Sequence, residues 1–180
     1  MYQTQLDEFA AQLEKKLITA GMWVAAAESC TGGLITHTLT NIAGSSACVL
    51  GGVTAYANKI KINLLGVAEA TIKQHGAVSK ETAIEMADGV RSLFSSTLKE
   101  PAIVLGISTT GIAGPGGGTP QKPVGLVYIG LSTPIGSRAY RSVWPHDRIG
   151  NKLSSTLLAL QLVDAFFESG KLPNIENPSA

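Results

Sequence analysis

Neither charge nor cysteine is abundant in this chain of 180 residues. Lys and Arg number 14 against 13 Asp and Glu, a net charge of +1, so there is no electrostatic case for a nucleic-acid partner, which a basic surface recruits by displacing counterions. The only cysteines, Cys30 and Cys48, have no C-x-x-C spacing, no H-E-x-x-H occurs, and His37, His75 and His146 are scattered. No metal set is legible, and neither a metal nor any other cofactor is expected. No apolar leader opens the sequence and no apolar run approaches a membrane span, which predicts reduced thiols, a cytoplasmic protein and no membrane partner. A G-x-x-x-x-G-K-[ST] loop for ATP phosphates is absent as well.

What is present suits one folded domain. A hydrophobic content of 44% with mean hydropathy +0.20 supports a sizeable core, placed over residues 1–170 with an irregular tail over 171–180, where LPNIENPSA mixes proline with asparagine and serine. Leu6, Phe9, Ala10, Leu13 and Leu17 recur at helical spacing, with Glu14, Lys15 and Lys16 read as a solvated face and Gly21 as the stop. A strand follows at Trp23 to Ala27, a helix at Leu34 to Ile42, a strand at Val49 to Tyr56 and a short helix ending at Gly66. Ser79-Lys80-Glu81-Thr82 opens a longer helix, and Pro101 to Ser108 reads as a buried strand because its apolar residues are consecutive. A Gly- and Pro-rich loop from Ile112 to Pro123, a hairpin through Pro134-Ile135-Gly136 and a last helix from Arg148 to Glu168 complete the chain. Helix and strand alternate, then a hairpin and a closing helix follow, which predicts a three-layer α/β/α domain with a mixed sheet.

The chemistry concentrates between Val24 and Lys61. At Glu28-Ser29-Cys30-Thr31-Gly32-Gly33 a strand gives way to a helix, and the unpartnered N–H groups of a helix start can hold a phosphate or an oxyanion. Thr31, Gly32 and Gly33 are the residues expected to form that cradle. A second serine turn, Ala43-Gly44-Ser45-Ser46-Ala47, precedes Tyr56, Lys59 and Lys61. A lysine kept neutral by burial can act as the base for a serine nucleophile. Arg148 stands where the helix dipole disfavours a cation, which an anionic substrate would explain. The bland alternatives are a serine cap, a surface lysine and an Arg148–Asp147 surface pair.

AESCTGG, IAGSSA, TAYANKIKINLLGV, HGAVS, TGIAGPGGGTPQKPVG and the later Asp147-Arg148 closely resemble, in that order, the CinA C-terminal domain family. The resemblance covers about residues 5 to 168, implies the same three-layer architecture, and selects Lys61 over Lys59 through Tyr-x-x-x-x-Lys from Tyr56. Characterised members are nicotinamide-nucleotide amidases, which implies hydrolysis of the carboxamide of nicotinamide mononucleotide to nicotinic acid mononucleotide and ammonia, a small-molecule nucleotide as partner, and a homo-oligomer. Ser46 is then expected as nucleophile with Lys61 as base, Ser29 orienting and Tyr56 relaying protons or holding the lysine. Thr110, Gly111 and Gly114 join Thr31, Gly32, Gly33 and Arg148 in binding substrate. The rival is a non-catalytic nucleotide-binding or protein-interaction module of the competence and damage-inducible type. Two positions depart from the usual family form: His146 replaces a glycine before Asp-Arg, and Ala57 replaces a serine after the tyrosine.

Overall fold

The computed structural model describes residues 2–175. In chain order the elements are α1 (Tyr2–Ala20), β1 (Met22–Glu28), α2 (Leu34–Thr40), β2 (Val49–Thr54), α3 (Asn58–Leu65), α4 (Glu69–His75), α5 (Lys80–Ser95), β3 (Ile103–Gly111), β4 (Leu126–Thr133), β5 (Gly136–Val143) and α6 (Arg148–Ser169). A 3-10 turn, Ser45–Ala47, precedes β2. The strands form one mixed sheet in the order β2-β1-β3-β4-β5. β1 pairs in parallel with β2 and β3, whereas β3, β4 and β5 pair antiparallel.

Both faces of the sheet are covered, and the alternation along β1 shows how. Val24 and Ala26 join a core with Leu13 and Leu17 of α1, Ile35 and Leu39 of α2, and Leu158 and Leu162 of α6. Ala25 and Ala27 point the other way, into a core with Leu65 of α3 and Met86 and Val90 of α5. The expected three-layer α/β/α arrangement with a mixed sheet is what forms, and burial on both faces is why β1 and β3 lack a polar side. α5 lies unusually close to the sheet: a Cβ on Gly106 would sit 2.2 Å from the Ala87 carbonyl and one on Gly130 2.3 Å from that of Ala83. Glycine at those two positions is what admits the helix.

One surface expectation is corrected. Glu14 is not on a solvated face; it is 1% exposed, and neither carboxyl oxygen has a hydrogen-bond partner. Lys15 is exposed, and Lys16 reaches across to α6, pairing with Asp164 at 2.7 Å and Glu168 at 2.6 Å. Over residues 171–175 the chain has no regular structure, but Pro173 is buried and its carbonyl accepts from Tyr140 Oη at 3.0 Å and Arg138 Nη1 at 2.9 Å. Residues 176–180 of the expected tail lie outside the described residues. No helix among the described residues is long and apolar enough to cross a membrane.

The connection from β1 to β2 runs through α2 on one face, and that from β2 to β3 through α3, α4 and α5 on the other. A crevice therefore opens at the carboxyl ends of the three parallel strands, the place where open α/β sheets bind ligands.

Candidate active site

That crevice is a cavity of about 290 Å³. Ser29 and Cys30 line it from the end of β1, Tyr56, Asn58 and Lys61 from the start of α3, and Ala77 and Val78 from the link between α4 and α5. Thr110 through Gly114, with Gly116 and Gly117, form the wall beyond β3, and Arg148 of α6 stands at the mouth.

Lys61 is at its centre. On α3 the buried positions are Lys61 and Leu65, four apart and so on one face. Leu65 enters the core, while the Lys61 stem carries its amine, 1% exposed, to the end of β1. Nζ lies 3.0 Å from Ser29 Oγ and donates to the carbonyls of Ala55 at 2.7 Å and Tyr56 at 3.2 Å. No carboxylate lies within 4.0 Å of Nζ among the described residues. Burial therefore pulls the Lys61 pKa below its ordinary 10.5. In the neutral amine the two N–H bonds go to the two carbonyls, which leaves the lone pair to accept the Ser29 hydroxyl. Ser29 is held from behind, its backbone N–H donating to the Thr109 carbonyl at 2.9 Å.

Ser46 is elsewhere, which corrects the expected choice of serine. It lies exposed in the 3-10 turn before β2, whereas Tyr56 and Lys61 follow the other end of that strand. The strand alone separates them by roughly 16 Å. Because β1 and β2 are parallel, it is the residue after β1, Ser29, that arrives beside Lys61.

The glycine turn is also corrected as an anion cradle, because a carboxylate already fills it. Glu28, 1% exposed, accepts from the N–H groups of Gly33 at 2.9 Å, Ile35 at 3.0 Å and Thr36 at 2.8 Å, and from Thr36 Oγ1 at 2.8 Å. These are the groups a helix start leaves open, now satisfied internally. Gly32 and Gly33, at φ 65° and 96°, bend the chain so that Glu28 can reach back to α2. The Thr31 hydroxyl is buried against that of Thr109 at 2.6 Å. None of Thr31, Gly32 and Gly33 lines the cavity.

Tyr56 meets Lys61 only through its backbone carbonyl. Its side chain is 63% exposed at the mouth, where its hydroxyl accepts from Arg148 Nη2 at 3.4 Å. Arg148 Nη1 donates to the Gly114 carbonyl at 2.7 Å. The alternative Arg148–Asp147 pair does not form: Asp147 caps α6 by accepting the Gly150 N–H at 2.8 Å, and Arg148 has no carboxylate within 4.0 Å among the described residues. Its uncompensated charge faces the cavity mouth. Thr110 and Gly111 line the wall, with the Thr110 hydroxyl donating to the Ala77 carbonyl at 2.5 Å.

Cys30, the other nucleophilic atom in the wall, is pushed up to about 12, chiefly by burial, and is a thiol at neutral pH. No group of three or more His, Cys, Asp and Glu among the described residues could hold a metal ion. Ala57 leaves α3 without a side-chain cap, and His146 is exposed with its N–H donating to Asn151 Oδ1 at 3.1 Å.

Sequence reasoning missed several contributors. Glu28 carries a signal in hindsight, an acid directly before a glycine turn and a helix. Asn151, fully buried, donates to the Ala113 carbonyl at 3.0 Å and anchors the loop to α6. Its place one turn into a helix gave no hint of that role.

Residues 6–167 match the CinA C-terminal domain family. A CinA-like protein of Chloroherpeton thalassium is 48% identical over 162 residues, covering 88% of this chain and 36% of that protein. One from Salinibacter ruber is 51% identical over 129 residues, covering 72% of this chain and 30% of that protein. The crystal structure of the competence/damage inducible protein CihA from Agrobacterium tumefaciens superposes with a TM-score of 0.80 at 37% identity, covering 89% of this chain and 94% of that one. A CinA superfamily protein from Klebsiella pneumoniae gives 0.82 at 26% identity, covering 91% and 98%. The chain spans about a third of the length of the curated relatives it matches. With its motifs, its sheet and nearly its whole length in agreement, this chain belongs to the CinA C-terminal domain family.

Proposed function

We propose that the chain is an amidase that hydrolyses the carboxamide of nicotinamide mononucleotide, with Ser29 as nucleophile and Lys61 as base. The observation that carries this reading is the buried Lys61 amine 3.0 Å from Ser29 Oγ, with no carboxylate among the described residues beside it to hold a proton. The choice of substrate follows the resemblance to nicotinamide-nucleotide amidases, and Arg148 supports it by offering a cation for the phosphate. The expected homo-oligomer belongs to the same proposal.

Ser29 Oγ attacks the carboxamide carbon, forming a C–O bond as its proton passes to the neutral Lys61 amine. The tetrahedral adduct collapses with cleavage of the C–N bond, and the Lys61 ammonium protonates the departing nitrogen, releasing ammonia. Water then attacks the ester on Ser29 and gives its proton to Lys61. The ester C–O bond breaks, Lys61 returns the proton to Ser29, and the carboxylic acid leaves. Ala55 and Tyr56 carbonyls hold the amine throughout, and the Tyr56 ring and Arg148 line the entrance.

The test is ammonia release from nicotinamide mononucleotide by purified protein with chelator present and no ATP or redox cofactor, with nicotinic acid mononucleotide identified as the other product. Saturable binding without turnover contradicts the amidase and favours the binding module.

The turnover rate is expected to rise with pH through an apparent pKa below 10.5, because only neutral Lys61 accepts the Ser29 proton and its pKa is lowered by burial. A flat single-turnover profile across that range contradicts the assignment. Arg148→Ala is expected to raise KM by at least ~10-fold with a much smaller change in kcat, the mark of a group that binds without reacting. Steady-state kinetics with nicotinamide mononucleotide checks this, and an unchanged KM removes the phosphate role.

A further inference from the structure

We propose that Lys122 is a positioning residue for substrate binding: its ammonium clamps the Ala77–Val78 wall of the cavity to the Gly- and Pro-rich loop and so sets the cavity's width. The inference rests on the amidase reading for its kinetic consequence. Lys122 does not line the cavity. Its Nζ donates to the carbonyls of His75 at 2.8 Å and Val78 at 2.7 Å, which bracket the wall residue Ala77.

The His75 carbonyl belongs to the last turn of α4, where carbonyls lack intrahelical partners and a cation is favoured. Val78 stands directly before Ser79, the N-cap of α5. The link between the two helices is thus irregular backbone, and Lys122 supplies donors to both of its ends. Space for the ammonium is tight, since a Cβ on Gly76 would lie 3.1 Å from Nζ.

On its own side, Lys122 sits in a closed turn. Its N–H donates to the Thr119 carbonyl at 3.1 Å, and the Thr119 N–H donates back to the Lys122 carbonyl at 2.8 Å. Pro120 and Pro123 flank it and restrict the backbone. The same loop places Gly114, Gly116 and Gly117 along the cavity, so one ammonium joins two of its walls. Among the described residues, the one other side-chain hydrogen bond to this link from β3 or the loop is that of the neutral Thr110 hydroxyl to the Ala77 carbonyl. No carboxylate lies within 4.0 Å of Lys122 among the described residues; the charge serves the carbonyls alone.

The experiment compares wild type, Lys122→Met and Lys122→Arg by steady-state kinetics with nicotinamide mononucleotide and by amide hydrogen exchange, both well below each variant's melting midpoint. Lys122→Met is expected to raise KM at least ~10-fold with kcat within about threefold, the split of a lost binding geometry rather than a lost reacting group. Exchange over residues 76–79 is expected to quicken at least ~10-fold while β1 and β3 amides are unchanged, since only a local opening is released. Lys122→Arg, whose fork can reach both carbonyls, is expected to restore both quantities to within about threefold. Unchanged protection at 76–79 in Lys122→Met, a fall in kcat at constant KM, or an Arg variant as impaired as the Met variant overturns the clamp. Should the wild type release no ammonia, the amidase reading falls separately. Exchange and a calorimetric Kd for nicotinamide mononucleotide then still decide Lys122.

Discussion

Lys61→Met is expected to lower turnover by at least roughly four orders of magnitude, since loss of a nucleophile or its base can cost up to about 10⁶-fold, while leaving a folded protein with an altered pH response. Methionine nearly matches the buried stem of Lys61 in length but has no lone pair on nitrogen to take the Ser29 proton. Two effects on stability oppose each other. The variant no longer buries an amine that lacks a carboxylate partner, but it leaves the fully buried Ala55 carbonyl without its 2.7 Å donor, at a cost of about 1–3 kcal/mol. Their pH dependence separates them. The folded pKa of Lys61 lies below 10.5, so between those two values the unfolded chain binds more protons than the native one. Wild-type stability therefore contains a term that increases with pH across that window, and Lys61→Met lacks it. Denaturant titrations of both proteins between pH 7 and 11, paired with single-turnover kinetics, check the two halves. Substantial turnover in a folded Lys61→Met protein contradicts the role of the lysine.

Glu14→Leu is expected to stabilise the protein at pH 8 by about 3 kcal/mol and to have little effect at pH 4.5. The Glu14 carboxyl is 1% exposed with both oxygens unpartnered, and burial pushes its pKa up to about 7 from 4.5. Here the native state holds the proton more tightly than the unfolded chain. The stabilising term is thus fully present below pH 4.5 and is lost as pH rises through about 7. The rise from 4.5 to about 7, at about 1.36 kcal/mol for each tenfold change in proton affinity, gives the figure above. For a chain of this length that corresponds to a rise of about 10 °C in melting midpoint. Leucine also suits the surroundings, since Leu13 and Leu17 of the same helix are already in the core. The buried Cys48 thiol, raised to about 11 by burial and then by the Glu14 charge, is expected to lose only the second, smaller influence. Midpoints measured from pH 4 to 8 check this, and parallel curves for the two proteins contradict it.

The elements were legible where periodicity and punctuation agreed. Gly21, Gly66 and Ser79 mark helix ends in the sequence, and each does so in the structure. The consecutive apolar residues of β3 announced its burial on both faces, and those of β1 carry the same signal. Charge misled the reading of Glu14, which stands four residues after Ala10 and so lies on the buried stripe of α1. Glu28 was obscure for a related reason: a carboxylate ahead of a glycine turn reads as solvent-exposed unless its reach back to the helix start is considered. The expected placement of Ser46 beside Lys61 failed on strand direction. Ser46 is nearer than Ser29 to Lys61 along the chain, but proximity in sequence carries no information on which ends of β1 and β2 share an edge. Parallel pairing brings the ends of both strands together and leaves Ser46 at the opposite side of the sheet. Lys61 itself was recognisable from residue type and motif spacing, whereas its two carbonyl partners are backbone groups that no sequence pattern displays.

The central claim is that Ser29, not Ser46, reacts with the carboxamide under the control of Lys61. Single-turnover ammonia release from nicotinamide mononucleotide, measured on folded Ser29→Ala and Ser46→Ala proteins beside the wild type, tests it most directly. The expected result is a loss of roughly four orders of magnitude for Ser29→Ala and a rate within about twofold of wild type for Ser46→Ala. Near-normal chemistry in Ser29→Ala, or a dead Ser46→Ala, contradicts it.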